Sequence, residues 1–595
     1  MALISHLAAL EASGLIRLAA VEPELEYLFR HALVQEAAYE TLLKAERKRL
    51  HGAVGEALER AYPDRLASRE FAPILAVHFA EAGDEARALK YFTLAGDAAL
   101  RLYANAEASL HYSRALEIAK RTARVDGAKF IHLYASYGQA LELTVRHAEA
   151  LAAYAEMETL AQTRHDKAME FAAVMARAKI HSTPHQWHDP ARAKTLLERA
   201  LTLAHDLGDR AAESKILWNL MLLQVFGGGD PRQTVVYGEQ SLAIARELNL
   251  REQMAFTLND IAYAYALTRQ AKESLAALEE ARGLWRELGN LPMLSDNLAN
   301  TSIRQFFAGE YDQALASAAE SFRISQSIGN RWGQASSQLA VGQIHFDRGH
   351  PAEAIASMEA AIQLGEPIGH SFALLLRADL GWVYASLGAL ERGLETAQQA
   401  YIRSAAEPLP AARVGPIAVL VRLHVLTGNY AAAQAMLQEG RAIYDPASLL
   451  LFGHYLLALA EGELALAQQD YERARVATER LLAELARMQT RPFVVDALDI
   501  RGQALLAQGR TGQAREVWQE ARGVAEALGA RRSLWPILIA LSEIEAREGS
   551  RPQAEILRAE ARALMAYIAD HCAPDLRASF LNQPRIRAAL EMTGK

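Results

Sequence analysis

The chain has 595 residues, 51% of them hydrophobic and 23% charged, with a formal net charge of −8. That is roughly three to four times the length one ordinary core needs, which excludes one compact globule in favour of several domains or a stack of repeats; the apolar fraction excludes a disordered chain. Only 36 Gly and 18 Pro, with Ala, Leu, Glu, Arg and Gln abundant, predict helix throughout. The lone cysteine, Cys572, rules out an internal disulfide or a cysteine-based zinc site. No basic stretch precedes the first apolar run, and the most apolar window, Leu449 to Leu466, is interrupted by His454, Glu461 and Glu463. The expected compartment is therefore the cytoplasm, with no membrane partner. Evenly mixed charge offers no field that would draw in a polyanion, so no nucleic-acid partner is expected either.

In chain order, residues 1–62 stand apart. Met1 to Ser13 reads as a short amphipathic helix stopped by Gly14, Leu15 to Leu18 and Tyr27 to Phe29 can pair as a hairpin around Pro23, and a second helix runs on from His31. This winged-helix-like order is expected to cap the first repeats. Residues 63–125 hold linking helices and first repeats, with helices near 71–82, 85–101 and 104–121.

From 126 to 570 a repeat takes over. Turn marks fall at Gly229, Arg269, Gly309, Gly349, Gly388, Gly428, Gln469, Gly509 and Gly549, successive gaps being 39 to 41 residues. Five residues after the mark the side chain is small (Ser274, Ala314, Ala354, Gly393, Ala433), and seven before it likewise (Ala262, Ser302, Gly342, Gly381), as two closely crossing antiparallel helices require. A second set, Gly208, Gly289, Gly329, Gly369 and Gly529, follows apolar helical runs and marks helix C-termini. Asp189-Pro190 and Asp230-Pro231 read as N-cap and first helical residue. The unit is thus helix A, turn, helix B, stop, repeated in about eleven pairs. One pair cannot bury its apolar stripe alone, whereas stacked pairs can. Residues 571–595 form a tail.

Leu380-Gly381-x-x-Tyr384 followed by Gly388, Gly309-x-Tyr311-x-x-Ala314 and Gly428-x-Tyr430-x-x-Ala433 resemble the tetratricopeptide signature. The resemblance implies an all-α, right-handed superhelical solenoid, here with pairs of about 40 residues rather than 34 and with Gly393 in place of the usual Ala. Residues 25 to 51, around Phe29-Arg30-His31, look like the junction in bacterial multidomain signal-transduction (STAND or AAA-type) ATPases. There a nucleotide-binding module precedes a winged helix and tetratricopeptide repeats, often behind an adenylate or guanylate cyclase domain. The tail, Arg577-x-x-Phe580-Leu581-x-x-Pro584, is similar to the end of such chains. By that resemblance His31 is the position that would meet a nucleotide phosphate.

No phosphate-cradling loop is present, the only Gly-Lys being Gly594-Lys595, and no HExxH, GxSxG or paired-carboxylate arrangement occurs. The chain is not expected to be an enzyme or to need a cofactor. Three histidines, His181, His185 and His188, with Asp189, could hold a metal, but the repeat phase makes this segment an intra-repeat turn broken by Pro184, so no metal is expected. Six residues before the marks stand Tyr263, Gln343, Trp382 and Arg422, and ten before stand Asn219 and Asn259. Polar and aromatic types replace aliphatic ones there, as in a recognition groove lined by the A helices. The resulting expectation is a protein- or peptide-binding scaffold, also able to self-associate, forming the sensor or regulatory half of a signal-transduction ATPase. Two alternatives stand beside it: a truncated piece of a full ATPase, cyclase or transcriptional regulator, favoured by a start inside the winged helix, and a sensor of small-molecule effectors in the superhelix groove.

Overall fold

Low Gly and Pro content and a 40-residue hydrophobic period resolve into helices joined by tight turns. The computed structural model describes residues 2–20, 26–62, 70–122, 125–182, 187, 189–227, 230–368, 372–406, 410–443 and 451–591. The chain divides into two units, Met1–Gly208 and Asp209–Lys595. No helix among the described residues is long and apolar enough to cross a membrane.

Unit 1 begins with α1 (Ala2–Ala12) and a hairpin of β1 (Ile16–Ala20) and β2 (Glu26–Phe29), antiparallel with Ile16 opposite Phe29. Two helices follow where the sequence predicts one, α2 (Ala32–Glu40) and α3 (Lys44–Ala61). Arg47 explains the break: its guanidinium donates to the carbonyls of Leu42 (2.9 Å) and Glu40 (3.0 Å), satisfying the C-terminal turn of α2. α3 packs on α4 (Ala72–Ala82), with Gly55 against the Phe79 ring. The hairpin instead packs on α1 and α2. Ile16 and Gly55 are the buried residues among those described in 1–62, while Leu33 and Leu43 are 77% and 75% exposed. Three helix pairs complete the unit: α5 (Glu85–Arg101) with α6 (Asn105–Arg121), α7 (Gly127–Leu143) with α8 (His147–Arg164), and α9 (Lys167–Ser182) with α10 (Pro190–Leu207).

Unit 2 is a longer stack of the same kind. Its pairs are α11 (Arg210–Gly227) with α12 (Pro231–Glu247), α13 (Arg251–Leu267) with α14 (Ala271–Leu288), and α15 (Leu291–Ala308) with α16 (Tyr311–Ser327). Then come α17 (Arg331–Ser337) and α18 (Val341–Asp347) with α19 (Pro351–Gly365), α20 (Phe372–Ser386) with α21 (Leu390–Ser404), and α22 (Val414–Leu426) with α23 (Tyr430–Ile443). α24 (Leu451–Ala467) with α25 (Tyr471–Arg487), α26 (Val494–Ala507) with α27 (Thr511–Leu528), and α28 (Arg531–Arg547) with α29 (Arg551–Asp570) follow, ending in α30 (Pro574–Leu581) and α31 (Pro584–Glu591). The all-α solenoid expected from the repeat is thus the fold. One helix A departs from it: α17 and α18 are separated at Gln338–Ala340, where the Ser337 hydroxyl donates back to the Gln334 carbonyl (2.8 Å) and competes with the helical ladder.

Local chemistry explains the pairs. Every described turn mark from Arg269 to Gly549 has positive φ, between 62° at Gln469 and 90° at Gly549, the left-handed conformation that reverses the chain between A and B. Asp189 and Asp230 cap their helices by accepting from the Arg192 and Arg232 amides. Where A and B cross, Ala262 and Ser274 are buried and the Ser274 hydroxyl donates to the Ala262 carbonyl (2.7 Å); one repeat later Ser302 donates to Ala314 (2.8 Å). At Gly381 a Cβ would lie 2.7 Å from the Gly393 carbonyl oxygen, so this crossing admits glycine alone.

In unit 2 the stack comes round on itself. The Arg491 amide donates to the Phe307 carbonyl (2.9 Å), Arg531 Nη1 to the Arg348 carbonyl (3.1 Å), the Ala352 amide to the His571 carbonyl (3.0 Å) and Gln583 Nε2 to the Ser386 carbonyl (3.0 Å). These partners lie 183 to 219 residues apart, between four and six repeats. A single hydrophobic core runs through both sides of the contact, from Phe306, Ile344 and Tyr384 to Trp518, Leu538 and Ile586.

Candidate functional site: the inner ladder of the A helices in unit 2

Two stretches of A helix carry the sequence-predicted positions. The first runs across α11, α13 and α15. Trp218 Nε1 donates to Asp260 Oδ2 (2.8 Å), and Asn259 Nδ2 donates to Asp260 Oδ1 and to Asp296 Oδ2 (both 3.2 Å). Asn297 Nδ2 donates to Asn259 Oδ1 (3.0 Å), Asn300 Nδ2 to Asp296 Oδ2 (3.1 Å), and the Tyr263 hydroxyl to Asn300 Oδ1. The Arg304 guanidinium lies 5.3 Å from the centre of the Tyr263 ring. Asn219 is half-buried at the end of this ladder and donates to the Lys215 carbonyl (2.9 Å) of its own helix. Trp218, Asp260, Tyr263, Asp296, Asn300 and Arg304 all keep part of their surface open. Asn259, expected to line the groove, does not: it is 1% exposed, because both ends of its amide are taken up by Asp296 and Asn297 of α15 and by Asp260.

The electrostatics follow from crowding. Desolvation raises the Asp260 carboxyl to about 7; the Trp218 and Asn259 donors work against that rise and Asp296 adds to it. Asp296 is raised too, again mainly by desolvation, and the Tyr263 phenol is pushed well up. Desolvation lowers Arg304. The strip thus offers amide, carboxyl, phenol and indole groups in fixed orientations.

The second stretch, from α18 to α28, surrounds an interior with a cavity of about 30 Å3, room for a few waters. Gln343, Trp382 and Arg422 line it. Arg422 is 5% exposed; its guanidinium lies 3.5 Å from the Trp382 ring centre and grips Glu463 through Nε (2.9 Å) and Nη2 (2.6 Å). Gln343 hydrogen-bonds Asp379, whose carboxyl is nevertheless raised to about 7 by burial, with Arg422 opposing the rise. Across the closure Arg532 holds Asp347 Oδ1 (3.0 Å) on one side and Asp496 Oδ2 (2.9 Å) on the other. Burial raises Asp347 on balance, whereas Arg532 brings Asp496 below its ordinary value. Trp382 and Arg422, expected as groove anchors, are therefore stacked on each other, Trp382 part-open and Arg422 buried with its charge already met.

The sequence reading passed over Asp260, Asn300 and Asp379, all nine residues before a mark, and Asp296 and Asp496, both thirteen before. The repeat phase alone would have placed them beside the positions it did select. Elsewhere, His31 is the exposed N-cap residue of α2 and its side chain makes no capping bond. His181 is buried with Nδ1 3.0 Å from the Trp187 carbonyl, while His185 and His188 lie outside the described residues, as does the Gly229 mark.

No protein-family model matches the chain, and no curated protein sequence matches it. Among solved structures, the chain is similar to the APC/C hetero-tetramer Cut9-Hcn1, with TM-score 0.45 and 14% identity over 90% of this chain and 96% of that one. It is also similar to a Rap protein complexed with competence and sporulation factor (TM-score 0.42, 11% identity, 61% and 98% of the two chains). A third similarity is to the Rap conjugation gene regulator of plasmid pLS20 in complex with the Phr* peptide (TM-score 0.41, 16% identity, 63% and 96%).

Proposed function

We propose that the chain is a protein- or peptide-binding scaffold whose recognition strip is the ladder across α11, α13 and α15. The observation that supports this is that Trp218, Asp260, Tyr263, Asp296 and Asn300, on three successive A helices, stay part-open while mutual hydrogen bonds hold them in fixed orientations. A strip of donors and acceptors already held by mutual hydrogen bonds loses little side-chain freedom when a peptide backbone docks on it. The chain fits the sensor or regulatory half of a signal-transduction ATPase, a context that rests on the resemblance of residues 25 to 51. Lacking a phosphate-cradling loop, it would not turn over ATP itself.

Screening the full chain against a peptide array, then measuring the best binder by fluorescence anisotropy, tests the reading. Truncation of a central anchor, Tyr263→Ala or Asp296→Ala, should weaken binding by about tenfold or more, while Lys272→Ala on the outer helix α14 leaves it unchanged. Equal affinities in all three variants would remove the ladder as the site.

A further inference from the structure

Unit 1 has a hollow of its own, a cavity of about 350 Å3 between the adjacent A helices α5 and α7. That volume suits a single small ligand. Leu89 and Leu94 supply its apolar lining; Lys90, Asp97, Lys129 and His132 supply the polar one. Asp97 is engaged from within the fold, accepting from the Tyr112 hydroxyl (2.7 Å) and from His132 Nε2 (2.9 Å). Tyr112 is fully buried under Gly96, where a Cβ would meet its ring at 2.8 Å, so the carboxylate is held in place from below.

The two ammonium groups are in a different position. Four of the other lysines of this unit find carboxylates: Lys120 pairs with Glu156, Lys167 with Asp206, Lys179 with Glu142 and Lys194 with Glu198. Among the described residues neither Lys90 nor Lys129 forms an ion pair within 4.0 Å, although Lys129 is half-buried. Desolvation lowers the Lys129 ammonium, with the more distant Asp97 and Asp126 only partly offsetting it. A half-buried ammonium on the wall of a hollow, with no carboxylate within 4.0 Å, leaves a place for an anion from outside. In a chain of net charge −8, two lysines against one engaged carboxylate also make this hollow a local exception.

We propose that the α5–α7 hollow binds a small ligand with an anionic head, carboxylate or phosphoryl, seated against Lys129 and Lys90, its apolar body lying on Leu89 and Leu94. Charge-assisted bonds to two ammonium groups supply the selectivity for an anion, and the leucines supply contact area.

The test is calorimetric titration of the full chain with phenyl phosphate, phenylacetate and the neutral phenylacetamide. Saturable binding of either anion, at least about tenfold tighter than the amide and weakened about tenfold in Lys129→Met, is expected. Whichever anion binds more tightly identifies the head group. Lys90→Met, an exposed position with little bearing on folding, should show the same direction and guards against misfolding of the Lys129 variant. Absence of saturable binding by both anions, amide binding as tight as that of the anions, or affinity unchanged in both lysine variants would overturn the proposal.

Discussion

The A helices on the two sides of α17 are built from one repeat, yet their inner side chains meet different fates. Across α11, α13 and α15, Asp260, Tyr263 and Arg304 keep part of their surface open. Across α18 to α28, Arg422 and Asp379, at the phase of Tyr263 and Asp260, are buried, 5% and 6% exposed. The turn glycines show where the stack meets itself. Gly309 and Gly349 abut Leu528 and Ile568, and a Cβ at Gly388 would overlap the Ser579 carbonyl oxygen at 2.5 Å, whereas nothing lies within 4 Å of a Cβ at Gly428, Gly509 or Gly549. Repeat phase decides which side chains point inward, and closure of the stack decides whether inward means surface or core.

The sharpest way to break this comparison is at Arg532. Arg532→Met leaves Asp347 and Asp496 buried without their shared cation and should cost about 3–5 kcal/mol in denaturant unfolding. Adding Asp347→Asn and Asp496→Asn should recover part of that loss, because the uncompensated charges are then gone. A cost below about 1 kcal/mol would mean that the closure does not depend on this bridge.

Asp379 gives the next largest effect, with a definite pH signature. Burial pushes its carboxyl up to about 7, above the ordinary aspartate value of 3.8, so the folded chain retains a proton that the unfolded chain releases. The contribution is therefore full below about pH 4 and lost as pH rises through 7. Asp379→Asn should be more stable than the parent by about 2 kcal/mol at pH 8 and near parity at pH 4. A difference independent of pH would contradict the burial of an ionisable carboxyl there.

On the open ladder the expected effect is smallest. Tyr263→Phe removes one neutral hydrogen bond, that to Asn300, at a part-open residue, so thermal unfolding should report about 1 kcal/mol or less. A loss as large as that of Arg532→Met would show that the ladder is core as well.

The sequence by itself determined the period, the positions of the left-handed turns, the small residues at A–B crossings and the capping aspartates, because each depends on neighbours within one repeat. Gly388 illustrates the limit. Its place in a tight turn is legible from the surrounding SLGALERG, but its contact with Ser579, 191 residues away, is not. The same holds for Arg532, whose two carboxylate partners stand 185 and 36 residues from it. Such contacts arise from small rotations between successive pairs, accumulated until one side of the stack reaches the other. Only the tertiary structure decided, therefore, that Arg422 is buried against Trp382 and Glu463 while Tyr263, at the same repeat phase, keeps part of its surface open.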